Sequence, residues 1–177
     1  MRRLALTAAV FALAVAVNTG SVAAQQRGAH LTRRFGRCVW EAHLALIAPA
    51  WLAFLALLPR AGRGVCWRLP TWARPVGWAM LAAATALWAL AYRRLGFVRM
   101  ANGDLFGRAA PLRLEDGVFA CLRDPMYDSY GLALAGAGLA SGNPAYLALA
   151  AESVLLLNGL EARVERAALP DAERVQA

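Results

Sequence analysis

The sequence predicts an all-α integral membrane protein of about five transmembrane helices, the last two a short helical hairpin following a cytoplasmic polar segment. Three observations predict it. Hydrophobic residues make up 60% of the 177 and charged residues only 17%, a balance far from that of a water-soluble domain. The charges fall in clusters between apolar runs long enough to cross a bilayer core. All 19 basic residues are Arg, and they flank those runs, where the positive-inside rule and anionic headgroups place them. The net charge of +8 is thereby accounted for without nucleic acid. The absence of Lys beside abundant Ala and Leu reads as the coding bias of a GC-rich genome, consistent with a bacterial inner (plasma) membrane.

The first apolar run covers residues 4–24, after Arg2 and Arg3 and ending in Val22-Ala23-Ala24. Its length suits a transmembrane helix, and its basic start and small-residue exit equally suit a signal peptide. Retention is expected, because cleavage would leave the Arg-rich stretch 25–37 on the wrong side of the membrane. The second span is 39–58, with Glu41 and His43 at its entry, where headgroups tolerate polar groups. The third is 76–92, between Pro75 and Arg93-Arg94, with Trp72, Trp78 and Tyr92 as interfacial anchors. Residues 93–128 are polar and broken by Gly96, Gly103, Gly107, Pro111, Gly117 and Pro125. The stretches 129–140 and 145–160 then read as two helical arms about the turn Ser141-Gly142-Asn143-Pro144. Gly131, Ala135 and Gly138 share a face, which lets the arms approach closely.

Arginine counting sets the orientation. With 93–128 and the tail 161–177 in the cytoplasm, thirteen Arg lie inside and six outside, the arrangement the positive-inside rule favours. The chain reads as one membrane domain, 1–177. Cys38, Cys66 and Cys121 are an odd number without ligand spacing, and His30 and His43 are thirteen residues apart, so neither a disulfide framework nor a metal site is expected.

Two charged patches carry the candidate chemistry. The first is Gly117-Val-Phe-Ala-Cys-Leu-Arg123-Asp124-Pro125-Met-Tyr127, and the second is Glu161-Ala-Arg163-Val-Glu165-Arg166. Two such patches around a helical hairpin resemble the signature of the membrane methyltransferases related to isoprenylcysteine carboxyl methyltransferase and the phospholipid N-methyltransferases. Those enzymes carry Arg-His-Pro-x-Tyr and later Val-Glu-Glu-x-x-Leu with an upstream Arg. Here the patterns stand as Arg123-Asp124-Pro125-Met126-Tyr127 and Val164-Glu165-Arg166-Ala-Ala-Leu169, so Asp124 replaces the His and Arg166 the second Glu. The resemblance bears mainly on residues 93–169. It implies S-adenosylmethionine as cofactor and a membrane lipid or lipophilic small molecule as methyl acceptor. It implies catalytic roles for Arg163 and Glu165, and cofactor binding by Gly117, Phe119, Arg123, Asp124, Pro125, Tyr127 and Glu161.

The residue types suit those roles. Arg123 can pair with a methionyl carboxylate, Phe119 and Tyr127 can wall an adenine or a sulfonium, and Pro125 sets the angle at which the next helix starts. The same residues also read as an Arg-Asp-Pro turn capping a membrane helix, with Arg123 reaching to phosphates. Likewise, the second patch reads as a solvated helix end. Glu152, midway along an apolar arm, is either paired or a polar relay. Two other functions therefore stay open: a non-catalytic membrane protein with a decayed site, and a small transport or assembly factor.

Overall fold

The computed structural model describes residues 2–27, 30–110, 114, 117–122, 124–161 and 163–164, and among these it is helical with no strand. Helix α1 spans Arg2–Gln26, the short α2 His30–Phe35, and α3 Val39–Leu57. The long α4 spans Ala73–Met100, a single turn α5 Val118–Cys121, α6 Pro125–Ser141 and α7 Pro144–Ser153. From Ser153 the chain continues as a π-helical segment, Val154–Glu161. Among the described residues, three stretches are long and apolar enough to cross a membrane: α1, the run His30–Arg60 and α4. The run Pro144–Leu160 is apolar but shorter.

Spacing explains which faces are buried. On α1 the buried residues Thr7, Phe11, Ala14, Asn18 and Val22 recur every three or four positions, and on α3 Val39, His43, Ile47 and Phe54 follow at spacings of four, four and seven, which keep to one helix face. These two stripes pack together, whereas Leu46, Leu52 and Leu55 on the other side of α3 are exposed, as a lipid-facing surface would be. Phe11, Val15, Phe54, Tyr127 and Leu157 form one core cluster, and Leu134, Ala145, Leu149, Ala150 and Ala61 a second.

Helix α4 does not stop at Arg93, as the charges suggested. It runs on to Gly96, which takes φ +70° and breaks the axis, and then makes a further turn to Met100. Arginine is a good helix former, and its long stem lets the charge reach water from an apolar helix. Likewise α6 begins at Pro125 rather than at 129. Asp124 Oδ1 accepts from Tyr127 N–H at 3.2 Å, and Pro125 needs no partner for a missing N–H.

Glycines set how closely the helices approach. A Cβ on Gly77 of α4 would lie 2.4 Å from the Ala140 nitrogen and 2.7 Å from the Gly136 oxygen of α6. The two backbones are thus in contact. Gly138, on another side of α6, faces Leu147 of α7, and Gly131 faces Ser153 and Val154. Between α6 and α7, Gly142 adopts φ +69° and Asn143 Oδ1 caps α7 by accepting from Ala145 N–H at 3.0 Å.

The bundle has two distinct ends. At one, Trp67 N–H donates to Gly142 O at 2.7 Å, and a groove of about 420 Å³ is lined by Trp67, Pro70, Arg74 and Ser141 among others. At the other end lie Gln26, α2, the start of α3, the loop 101–110 and Val164, with the start of α6 set back toward the middle of α1.

Candidate functional site

The described residues of the two charged patches are 117–122 and 124–127 of the first, and the backbone of Glu161 with Arg163 and Val164 of the second. Gly117 sits at φ +58°, a conformation that favours glycine, and the nearest heavy atom to its absent Cβ is Arg94 Nη2 at 3.8 Å. It opens α5, on which Phe119 is half-buried. Asp124 then caps α6, and Pro125 is buried in the first turn. The Tyr127 ring, expected as a wall for the cofactor, is only 5% exposed and packs among Phe11, Val15, Phe54 and Leu157. Its evident work is to seat the first turn of α6 against α1 and α3.

Tyr127 also sets a depth. It packs at the level of Val15, whereas α1 continues eleven residues further to Gln26. At 1.5 Å per residue, α6 starts about 16 Å short of the end of α1. The loop 101–110 occupies part of that step.

The second patch returns to the same place. Asn158 Nδ2 donates to Asp128 Oδ1 at 2.6 Å, tying the π-helical segment to the first turn of α6. That contact engages Asn158, the one amide of the last apolar arm. Glu152 itself is half-buried on α7. Six residues beyond Asn158, Val164 packs on the cluster of Val22, Val39 and Phe106, and its carbonyl accepts from Gln26 Nε2 at 2.6 Å. Arg163 beside it is exposed. Arg123, Glu165 and the side chain of Glu161 lie outside the described residues.

Between the patches is a polar cluster that sequence reasoning passed over. Asn102 Nδ2 donates to Asn18 Oδ1 at 3.2 Å, and Ser21 Oγ donates to the Asn18 carbonyl at 2.8 Å. Ser21 Oγ also lies 2.9 Å from His43 Nδ1. Asn18, Ser21, His43 and Asn102 are all buried, and Phe106 stacks on the His43 ring with centroids 4.4 Å apart. The available signal was Asn18 and Ser21 themselves, two polar residues three apart inside an apolar run. Such residues share a helix face and need a partner when buried.

The rim of this end is charged and aromatic. Arg108 pairs with Glu41 at 3.0 Å and holds its guanidinium 5.8 Å from the Trp40 ring centroid, while Trp40 Nε1 donates to Ala101 O at 3.0 Å. Burial pushes the Asp104 carboxyl above its ordinary pKa, against the lowering effect of its backbone hydrogen bonds, including that from Leu105 N–H, and of nearby Arg99. The arrangement combines cations, acids and aromatic faces at a membrane–water boundary, with apolar helices rising directly behind it.

A family model described as phospholipid methyltransferase matches residues 72–171, a stretch that contains α4, both charged patches and the two helices between them. No curated protein and no solved structure matches the chain.

Proposed function

The chain belongs to the phospholipid methyltransferase family, and on that premise we propose that it transfers a methyl group from S-adenosylmethionine to an acceptor lipid held in the membrane. The observation that carries the reading is the return of the chain: the Asn158–Asp128 bond and the seating of Val164 against Val22, Val39 and Phe106. Together they bring the end of the second patch to the side on which α6 and the first patch begin.

The residues at this end fit such a cofactor. Arg94 beside Gly117 offers a cation for a carboxylate, exposed Arg163 offers one for the acceptor, and Asp104 offers an acceptor for an amine. Half-buried Phe119 adds an aromatic face. Gly117 leaves its backbone open to close approach. The bound cofactor supplies a methyl group on a sulfonium, and this chain's own residues bind and orient. Arg123 is assigned to the carboxylate, Glu165 and Glu161 to the amine or ribose, and Arg163 to the acceptor side. Asp124 and Pro125 hold the first turn of α6 in place. Positioning is the main catalytic device of such a site. Five membrane passages with residues 93–128 and 161–177 on the cytoplasmic side give it access to a soluble cofactor.

The test is calorimetry of the detergent-purified protein with S-adenosylhomocysteine. The parent should bind it. Arg123→Ala and Glu165→Ala should each weaken binding by about ten- to a hundredfold, the loss of one charge-assisted hydrogen bond, with thermal stability nearly unchanged. A parent that does not bind removes the methyltransferase reading and leaves a family member with a decayed site.

A further inference from the structure

One assignment of protons makes both contacts of Ser21 hydrogen bonds. The single hydroxyl hydrogen goes to the Asn18 carbonyl at 2.8 Å, since a carbonyl can only accept. The hydroxyl oxygen then accepts from Nδ1–H across the 2.9 Å contact with His43. That tautomer leaves a lone pair on Nε2. The residue is only 2% exposed, and Nε2 is buried with no hydrogen-bond partner. Buried polar atoms are ordinarily satisfied, so the site is an acceptor with its donor missing.

Its surroundings narrow what that donor is. His43 lies in the second turn of α3, at the bundle end where Trp40 and the exposed Arg108–Glu41 pair form a belt suited to headgroup depth. Asn18 and Asn102 are already joined to one another, and Ser21 is engaged on both sides. The open valence of the cluster is thus an acceptor, and the group it takes must bring an N–H or O–H. We propose that His43 is a specificity-determining residue of the acceptor site, its Nε2 accepting a hydrogen bond from an N–H or O–H of a lipid headgroup. Headgroups that carry such a donor are held, and a headgroup without one leaves. Phe106 is stacked on the face of the ring, which leaves the Nε2 lone pair, in the ring plane, as the point at which the donor arrives. The inference rests on the methyltransferase reading for the identity of the site as an acceptor site.

The experiment is native mass spectrometry of the full chain. The protein, purified in detergent, is mixed with equal amounts of phosphatidylethanolamine and phosphatidylcholine of identical acyl chains. The first headgroup carries N–H donors and the second none. The parent should retain the first over the second by about tenfold or more, as expected for a charge-assisted hydrogen bond. In His43→Asn a side-chain amide remains near Ser21 while the Nε2 position is lost, and the preference should vanish. In His43→Gln an acceptor is restored near Nε2, and the preference should return. Equal retention of the two lipids by the parent, as when a buried water is the missing donor, overturns the proposal. A preference that persists in His43→Asn, or is lost alike in Asn and Gln, also overturns it. Calorimetry with S-adenosylhomocysteine on the same samples reports separately on the methyltransferase reading, so a failure of that reading is distinguishable from a failure of His43.

Discussion

Replacing Gly77 by Ala puts one methyl group where two helix backbones already touch. The new Cβ would stand 2.4 Å from the Ala140 nitrogen and 2.7 Å from the Gly136 oxygen. Ordinary contact begins at about 3.4 Å, and both atoms belong to backbone, so no rotamer change relieves the clash. Helices α4 and α6 must separate by roughly 1 Å along that line, losing dispersion contacts over the whole interface. Overpacking of this kind costs about 1–3 kcal/mol. The control is Gly20→Ala on α1, where nothing lies within 4 Å of the new methyl and helix propensity favours Ala by about 0.5–1 kcal/mol. Unfolding in mixed micelles with increasing SDS measures both. Gly77→Ala should unfold at lower SDS than the parent, and Gly20→Ala at equal or higher SDS. If Gly77→Ala is as stable as the parent, the backbone contact between α4 and α6 is refuted.

Other consequences are as direct. The three cysteines are free and exposed, with Cys66 near the Trp67 end and Cys38 and Cys121 at the other. A membrane-impermeant maleimide applied from outside should label Cys66 and spare Cys38 and Cys121, and the reverse pattern would invert the orientation. Removing residues 1–24 would strip Phe11, Ala14 and Val15 from the core, so the intact mass of the purified protein should include them; a mature start at Gln25 would sink this expectation. Asp104, raised in pKa chiefly by burial, holds its proton more tightly in the fold than in the unfolded chain. Its contribution is fully present below the unfolded pKa and is lost as pH rises through the higher folded value. Asp104→Asn should therefore flatten the decline in stability across that acidic window, as read by thermal unfolding at successive pH values; an unchanged profile would count against a buried Asp104.

What the sequence made legible was what depends on local chemistry. Runs such as 39–58 are visible because a bilayer demands unbroken apolar length, and α3 ends at Leu57. The Asp124-Pro125 pair is a helix start by its own chemistry, yet the apolar stretch after it drew attention four residues too late. Charges at Arg93-Arg94 resembled a terminus, although Arg costs a helix little, and the true break waits for Gly96. In the candidate site, Asp124 was readable as a cap. The Tyr127 ring was not readable as core, since its packing partners come from α1, α3 and the π-helical segment. The cluster of Asn18, Ser21, His43 and Asn102 was hidden for the same reason. Its members come from three separate segments, and only Asn18 and Ser21, three apart on α1, are related by spacing. The Gly77–Gly136 contact joins residues 59 positions apart, beyond the reach of any helical wheel.

The π-helical segment Val154–Glu161 changes how the terminal patch must be indexed. Each π turn takes up one residue more than an α turn, because its hydrogen bonds span five residues instead of four. One residue is about 100° of rotation on an α-helical wheel. Counting forward from Pro144 at the α period therefore points Arg163 and its neighbours in the wrong direction by at least that angle. A one-residue deletion within 154–161 that restored α geometry would leave every charge of the patch in place along the sequence, yet rotate Val164 away from Val22, Val39 and Phe106. The length of this segment acts as a phase setting, and a relative lacking one residue here would carry the same letters aimed elsewhere.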